Sequence, residues 1–376
     1  MPIFDVQHQQ RAQSILLRAF AGERLPHAYI FHGPPGVGKR MLADRLAMLL
    51  LCPNRRAVAP PPAEADAWAD VPCVDACGEC DDCHMLAAGT HPDLHVIDRS
   101  LRNFHPDPAV RARKGVDLGI DVIRHFLIAA AGKRPMRDRA KIFVVEEADR
   151  MTNEAQNAML KTLEEPPPTT FVILLATSLD RLLPTTRSRC QPVPLAALPI
   201  AFTEQKLCEL RPDVPAENLA YLARLAAGRL GAALQYADDG LCERKRSLGE
   251  GLAALGPDTI GGFVKTVSEQ VEQYAKELAK RQETRISDTE ANRVALRALL
   301  AAIAAFFADA LRKASGTDIL PINLDQPHVI DVLIRRHSPR GLTQAIREVV
   351  TAESNIDRNA NVQLVLESLA TRLTHG

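Results

Sequence analysis

Aromatic side chains are scarce in this sequence of 376 residues: one Trp, four Tyr and eleven Phe. With Ala and Leu abundant, that composition favours helical packing over an aromatic-rich β-sandwich. A surplus of either charge is missing too. Lys plus Arg and Asp plus Glu number 46 each, so no global basic field advertises nucleic acid as the partner. Any DNA contact has to be local, or shared with other chains. The N-terminus lacks the basic and apolar pattern of a secretory signal, and no apolar run reaches membrane-spanning length. Together these lead to the expectation of a cytoplasmic protein with no membrane partner. The length exceeds one ordinary core and predicts two or three domains.

What is present begins at Tyr29–Arg40, which reads Y-I-F-H-G-P-P-G-V-G-K-R. Tyr29, Ile30 and Phe31 predict a short buried strand. Gly33, Gly36 and Gly38 permit a tight turn with close backbone approach, and Lys39 opens the helix that follows. Backbone N–H groups, a helix N-terminus and a lysine together make a cradle for phosphate. The last position departs from the pattern. Where G-x-x-x-x-G-K-[ST] places a hydroxyl on Mg²⁺, this chain has Arg40, which cannot coordinate a cation. The loop is therefore expected to hold ATP or ADP and to be poorly equipped to hydrolyse it.

Of the eight cysteines, four fall between Cys73 and Cys83. In a reducing compartment that density points to metal rather than disulfides. Cys77, Cys80 and Cys83 follow C-x-x-C-x-x-C spacing, in which each tight turn brings neighbouring thiolates within reach of one tetrahedral ion. The fourth ligand comes from elsewhere, with Cys52 and Cys73 both open. No catalytic carboxylate accompanies them, so the expectation is structural Zn²⁺, with an iron–sulfur cluster as the minor alternative. Such a site contributes about 10–16 kcal/mol of apparent binding energy to local folding.

Leu94–Ile97 predicts a second strand and Lys141–Val145 a third, ending in Glu146-Glu147. In a P-loop ATPase a strand end of this kind aims the Mg²⁺ ligand and the water-activating carboxylate at the γ-phosphate. The pattern calls for Asp then Glu, and the extra methylene of Glu146 displaces the first carboxylate. Asn153 and Gln156 suggest a capping box for a helix that Pro166-Pro167-Pro168 stops. Phe171–Ala176 predicts a strand buried on both faces, with Thr177 at its end as a polar sensor of the γ-phosphate. Pro192–Leu195 makes a fifth strand. Strands and helices alternating at these lengths build a doubly wound parallel sheet.

Two stretches carry weaker expectations. Residues 54–72, with Pro60-Pro61-Pro62 and many Ala, read as a mobile insertion that builds no core. Lys133, Arg134, Arg137, Arg139 and Lys141 form a basic run that a solvated surface or DNA explains. Beyond Pro199 the periodicity is almost wholly helical. Phe263, Val267, Val271, Tyr274 and Leu278 make one apolar stripe; Leu296, Leu300, Ile303 and Phe307 make another.

These landmarks resemble the AAA+ clamp-loader subunits of bacterial replicases. The resemblance rests on Gly33–Lys39, on the Cys77-Cys80-Cys83 cluster followed by Ala88–Asp93, on Asn157–Pro167 and on Ser188-Arg189-Cys190. It implies an α/β plus all-α chain: an AAA+ P-loop parallel-sheet module with a zinc-binding insertion over 1–196, a small helical lid over 197–240, and a helical C-terminal collar over 241–376. It makes Cys52 the fourth zinc ligand and Cys73 an extra thiol. It also makes Arg189 an arginine finger that reaches into a neighbouring subunit's ATP site. A guanidinium is always charged, forks onto phosphate oxygens and speeds phosphoryl transfer by about 10³–10⁵.

Active relatives carry a lid arginine in a Gly-Ser-x-Arg pattern, and here Gly228-Arg229-Leu230-Gly231 puts Gly231 at that position. Three departures thus fall on hydrolysis in cis, at Arg40, Glu146 and Gly231, while Arg189, acting in trans, is intact. The resemblance implies a component of the DNA polymerase III holoenzyme with little or no ATPase activity of its own. Its expected partners are the delta and gamma/tau clamp-loader subunits and, transiently, the sliding clamp and primer-template DNA. The alternative is the ATP-hydrolysing gamma/tau motor subunit itself.

Overall fold

The structure is a computed structural model that describes residues 3–22, 25–60, 68, 71, 73–113, 117–281, 287–358 and 360–374. The chain divides into two compact units, Met1–Leu198 and Pro199–Gly376.

Among its described residues the first unit has seven strands: β1 (Ala28–His32), β2 (Arg56–Ala57), β3 (Val74–Asp75), β4 (Leu94–Ile97), β5 (Lys141–Val145), β6 (Thr170–Ala176) and β7 (Gln191–Pro194). Five of them form one parallel sheet in the order β4-β5-β6-β1-β7. Each central strand feeds both faces by simple alternation. Tyr29 and Phe31 join one core with Ile142 and Val144, and Ala28 and Ile30 join the other with Phe143 and Val145. The helices Gln10–Ala21 and Lys39–Leu51 cover the first face. The helix Asn153–Glu164 and the segment from Ile120 to Ala131 cover the second.

This topology decides where a site can form. β1 lies between β6 and β7, so the loops leaving the C-terminal ends of β1, β5 and β6 gather at one edge of the sheet. Gly33, Glu146 and Thr177 are the first residues after those ends. A crevice at such a switch point is where open parallel sheets hold their ligands.

Several local expectations change. The helix Asn153–Glu164 is capped by Thr152, whose Oγ1 accepts from the Ala155 N–H at 3.2 Å. Asn153 is already helical, so the predicted capping box is not the cap: the residue one step outside, in extended backbone, owns that hydrogen bond. The segment Ile123–Ile128 is a π-helix inside an otherwise α-helical run. In the 54–72 insertion, residues 61–67, 69, 70 and 72 lie outside the described residues. The rest does contribute to the core, contrary to expectation. Trp68 and Val71 are buried in the first-face cluster, with the Trp68 ring edge-on to Phe4 at 5.0 Å. The strand β2 within the insertion pairs antiparallel with β3.

The second unit is helical throughout its described residues, and one continuous apolar cluster runs from Leu207 to Leu373. Both predicted stripes, Phe263 to Leu278 and Leu296 to Phe307, are buried within it. The helix Asp288–Ala314 requires a correction. Its 27 residues contain an 18-residue window of mean hydropathy 2.0, long and apolar enough to cross a membrane by length and composition. That window is 67% buried inside the protein, so its apolarity serves the core of a helical unit. Asn359, which opens the run Asn359-Ala360-Asn361 near the C-terminus, lies outside the described residues.

Candidate functional site

The cradle begins where β1 ends. Gly33, Gly36 and Gly38 have φ of 146°, 75° and 99°, backbone that favours glycine. At Gly33 the requirement is also steric, because a Cβ there would stand 2.1 Å from the Leu195 carbonyl oxygen just beyond β7. Lys39 then starts the helix Lys39–Leu51, with Gly38 as its left-handed cap. The Lys39 ammonium donates to the carbonyls of Gly33 at 2.6 Å and Pro34 at 2.7 Å, folding the side chain back over the loop. Burial pulls its pKa down to about 8, opposed by the charge of Asp149.

Arg40 and Glu146 meet. The Arg40 guanidinium pairs with the Glu146 carboxylate through Nη1, and its Nε donates to Asp44 Oδ1 at 2.8 Å. The position that would offer Mg²⁺ a hydroxyl and the strand-end position that would offer it a carboxylate are thus joined to each other. Mg²⁺ demands near-octahedral oxygen coordination at about 2.0–2.1 Å. A fixed cation engaging two carboxylates does not fit that demand, so the residues present do not make a magnesium site.

The remaining strand-end groups are also engaged. Glu147, in left-handed backbone with φ 48°, accepts from Arg99 Nε at 2.6 Å and lies 3.5 Å from Arg150 Nε. Thr177 Oγ1 donates to Asp149 at 2.5 Å, and its backbone N–H donates to the same carboxylate at 3.2 Å. Asp149 therefore connects the predicted sensor, by hydrogen bonds, with the predicted phosphate lysine, by charge. The sequence reading stopped at Glu146-Glu147 and missed it, although the run Glu146-Glu147-Ala148-Asp149 carries the signal.

Arg189 follows the short helix Pro184–Arg187. Its Nη1 donates to the Thr185 carbonyl at 2.9 Å, and its Nη2 pairs with Glu164 at the end of the helix Asn153–Glu164. The side chain is 32% exposed. In the second unit, Gly231 lies in the first turn of the helix Leu230–Asp238, and Arg229 stands just before that helix without a side-chain capping bond, its Nε donating instead to the Ala226 carbonyl at 2.8 Å. Arg229 is thereby held against its own chain.

The second centre is metal-like. Cys52 ends the helix Lys39–Leu51, and the thiols of Cys52, Cys77, Cys80 and Cys83 all lie within 4.8 Å of one another. The separations Cys52–Cys77, Cys77–Cys83 and Cys52–Cys80 are 3.6, 3.9 and 4.0 Å. Four sulfurs about 2.3 Å from a tetrahedral ion stand about 3.8 Å apart, so this set can hold a metal ion. The Glu79 backbone N–H points at Cys77 Sγ at 3.4 Å and, with other donors, brings that thiol down to about 6. Burial raises the thiols of Cys52 and Cys83. Cys73 stands apart, its thiol bonded to the Val71 carbonyl at 3.3 Å.

The segment Ala88–Asp93 that follows has a structural explanation. His91 Nε2 lies 3.3 Å from Asp82 on the helix Asp81–Ala87, and Asp82 also pairs with Arg137 at 2.8 Å. Asp93, fully buried, accepts the backbone N–H groups of Met136 and Arg137 at 2.7 and 2.8 Å. These bonds anchor the cysteine lobe to the loop before β5. They also remove two cations from the basic run. Arg137 serves Asp82, and Lys141 is buried with its ammonium donating to the carbonyls of Ala130, Lys133 and Arg134.

With this geometry in place, comparison with known proteins places the chain. Residues 8–199, just over half of it, match the family described as DNA polymerase III, delta subunit. The chain belongs to this family. Residues 287–375 match its C-terminal counterpart, DNA polymerase III, delta subunit, C terminal. Among relatives of the DNA polymerase III delta family, a subunit delta' from Pseudomonas aeruginosa is 35% identical over 233 residues, 61% of this chain and 61% of that one. The chain thus matches less than two thirds of that relative's length. A subunit delta' from Escherichia coli is 27% identical over 369 residues, 96% of this chain and 92% of that one. The tau subunit of Escherichia coli is 30% identical over 244 residues, covering 63% of this chain and 32% of that protein.

Proposed function

We propose that this chain is a delta'-type subunit of the bacterial replicative clamp loader, which binds nucleotide without effective turnover and lends Arg189 to a neighbouring ATPase subunit. The observation that carries this reading is the Arg40–Glu146 pair. It joins the two positions from which a P-loop ATPase holds magnesium, while Arg189 stays partly exposed beyond the sheet. Phosphoryl transfer needs positioning and charge stabilisation more than covalent chemistry, so a subunit can lose its own reaction and still supply an arginine to another.

In this reading residues 197–240 form a lid and residues 241–376 an oligomerisation domain. Exposed Ile319, Leu320, Val350 and Leu364 support an assembly role there. The four-cysteine centre holds structural Zn²⁺, with Cys52 as the fourth ligand. The partners are the delta and gamma/tau subunits and, transiently, the sliding clamp and primer-template DNA, in the cytoplasm.

The second reading, a gamma/tau motor, is favoured by the intact loop from Gly33 to Lys39 and by the tau relative. Size-exclusion chromatography with gamma/tau and delta subunits, alongside ATP hydrolysis by the purified chain, separates the two. The expected result is stable co-elution and negligible turnover by the chain alone. Robust Mg²⁺-dependent hydrolysis that Lys39→Ala abolishes would establish the motor reading instead.

A further inference from the structure

The Arg40–Glu146 pair has a meaning beyond lost hydrolysis. In a magnesium-dependent cradle the strand-end carboxylate and the loop hydroxyl grip a cation, and that cation bridges them to the phosphates. Here the same two positions are occupied by a carboxylate and a guanidinium that neutralise each other directly. Asp44, one turn further along the helix, takes the Nε–H at 2.8 Å. A guanidinium has five N–H donors in a fixed fork, and these two contacts leave others on a side chain that is 40% exposed. Arg40 follows Lys39 directly, so two adjacent cations stand at the start of one helix, and the left-handed backbone of Gly36 and Gly38 precedes them.

We propose that the Gly33–Lys39 loop binds the oligophosphate of a nucleoside di- or triphosphate without any divalent cation, with Arg40 as the resident positive charge. This rests on reading the loop as a phosphate cradle. Glu146 and Asp44 hold the guanidinium in place, much as second partners orient any charged ligand-binding group. A free Mg²⁺ gains little here. It finds the Glu146 carboxylate already engaged by the guanidinium and no hydroxyl at position 40, so magnesium brought in on ATP meets no free protein ligand at these two positions.

The test is ATP and ADP affinity of the full chain by isothermal titration calorimetry, in EDTA and in excess Mg²⁺. The expected affinities agree within about threefold across the two conditions. Arg40→Ser alone is expected to weaken ATP binding in EDTA by about tenfold or more, since a charge-assisted contact is lost. The double variant Arg40→Ser with Glu146→Asp recreates a hydroxyl and a shorter carboxylate, and its ATP affinity is expected to rise by about tenfold when Mg²⁺ is added. Circular dichroism confirms folding of each variant. Wild-type affinity that rises tenfold with Mg²⁺ would overturn the proposal. Binding in neither condition would overturn it as well; co-elution with the other subunits in that case would leave the assembly reading standing.

Discussion

Arg189 and Glu164 form an ion pair within one chain, joining the turn before β7 to the C-terminal end of the helix Asn153–Glu164. The arginine proposed to act on a neighbour is thus stowed on a carboxylate of its own subunit. A carboxylate and a phosphate present similar paired oxygens to a guanidinium, so reaching across an interface exchanges one charge-assisted partner for another. Both side chains of the pair are partly exposed, at 32% and 48%.

Removing the stowing partner is therefore expected to be mild. Glu164→Gln should change unfolding free energy, measured with urea, by no more than about 1 kcal/mol, as for other exposed pairs. ATP turnover of the reconstituted assembly should hold steady or rise, because the finger no longer leaves a carboxylate to reach phosphate. A loss of turnover would mean that the pair positions Arg189 rather than parks it.

The cysteine centre makes a contrast between two thiols. Cys52→Ala should abolish stoichiometric zinc in the purified protein and lower its melting temperature. Cys73→Ala should leave one zinc per chain, since Cys73 lies outside the group of four. Elemental analysis together with thermal melting checks both outcomes. Chelation of the wild type should resemble Cys52→Ala, because metal binding and local folding are linked.

Lys39 gives a pH prediction. With its folded pKa brought down by burial to about 8, the ammonium keeps its proton below that value and loses it above. Phosphate binding requires the charged form, so ATP affinity should be highest near neutral pH and decline as pH rises through about 8. The unfolded lysine holds its proton up to about 10.5, so between the two values the unfolded chain binds more protons. The free protein should accordingly gain stability from this group as pH rises across that window. Titration calorimetry and urea melts from neutral to alkaline pH read both slopes, and Lys39→Met should flatten them.

Much of this was legible in the sequence wherever a local pattern carries its own physics. The buried strands at Tyr29 and Lys141, the three loop glycines and the C-x-x-C-x-x-C spacing each announce themselves through period, backbone freedom or ligand geometry. What was not legible depends on side chains distant in sequence. Glu146 and Arg40 each read as a defect alone, and only the fold shows that they pair. Asp149 was overlooked because its link to Thr177 is set by the register of β5 against β6. Trp68 sits among prolines and alanines with no periodicity to reveal that its ring is buried against Phe4.

The catalytic contribution proposed for this chain is made in trans, through Arg189, and the decisive experiment is ATP turnover by the assembled complex containing Arg189→Ala. The variant is expected to assemble normally by size exclusion while turnover falls by about 10³ or more at the site it faces. Turnover equal to that of the wild-type assembly, with the variant fully incorporated, would contradict it.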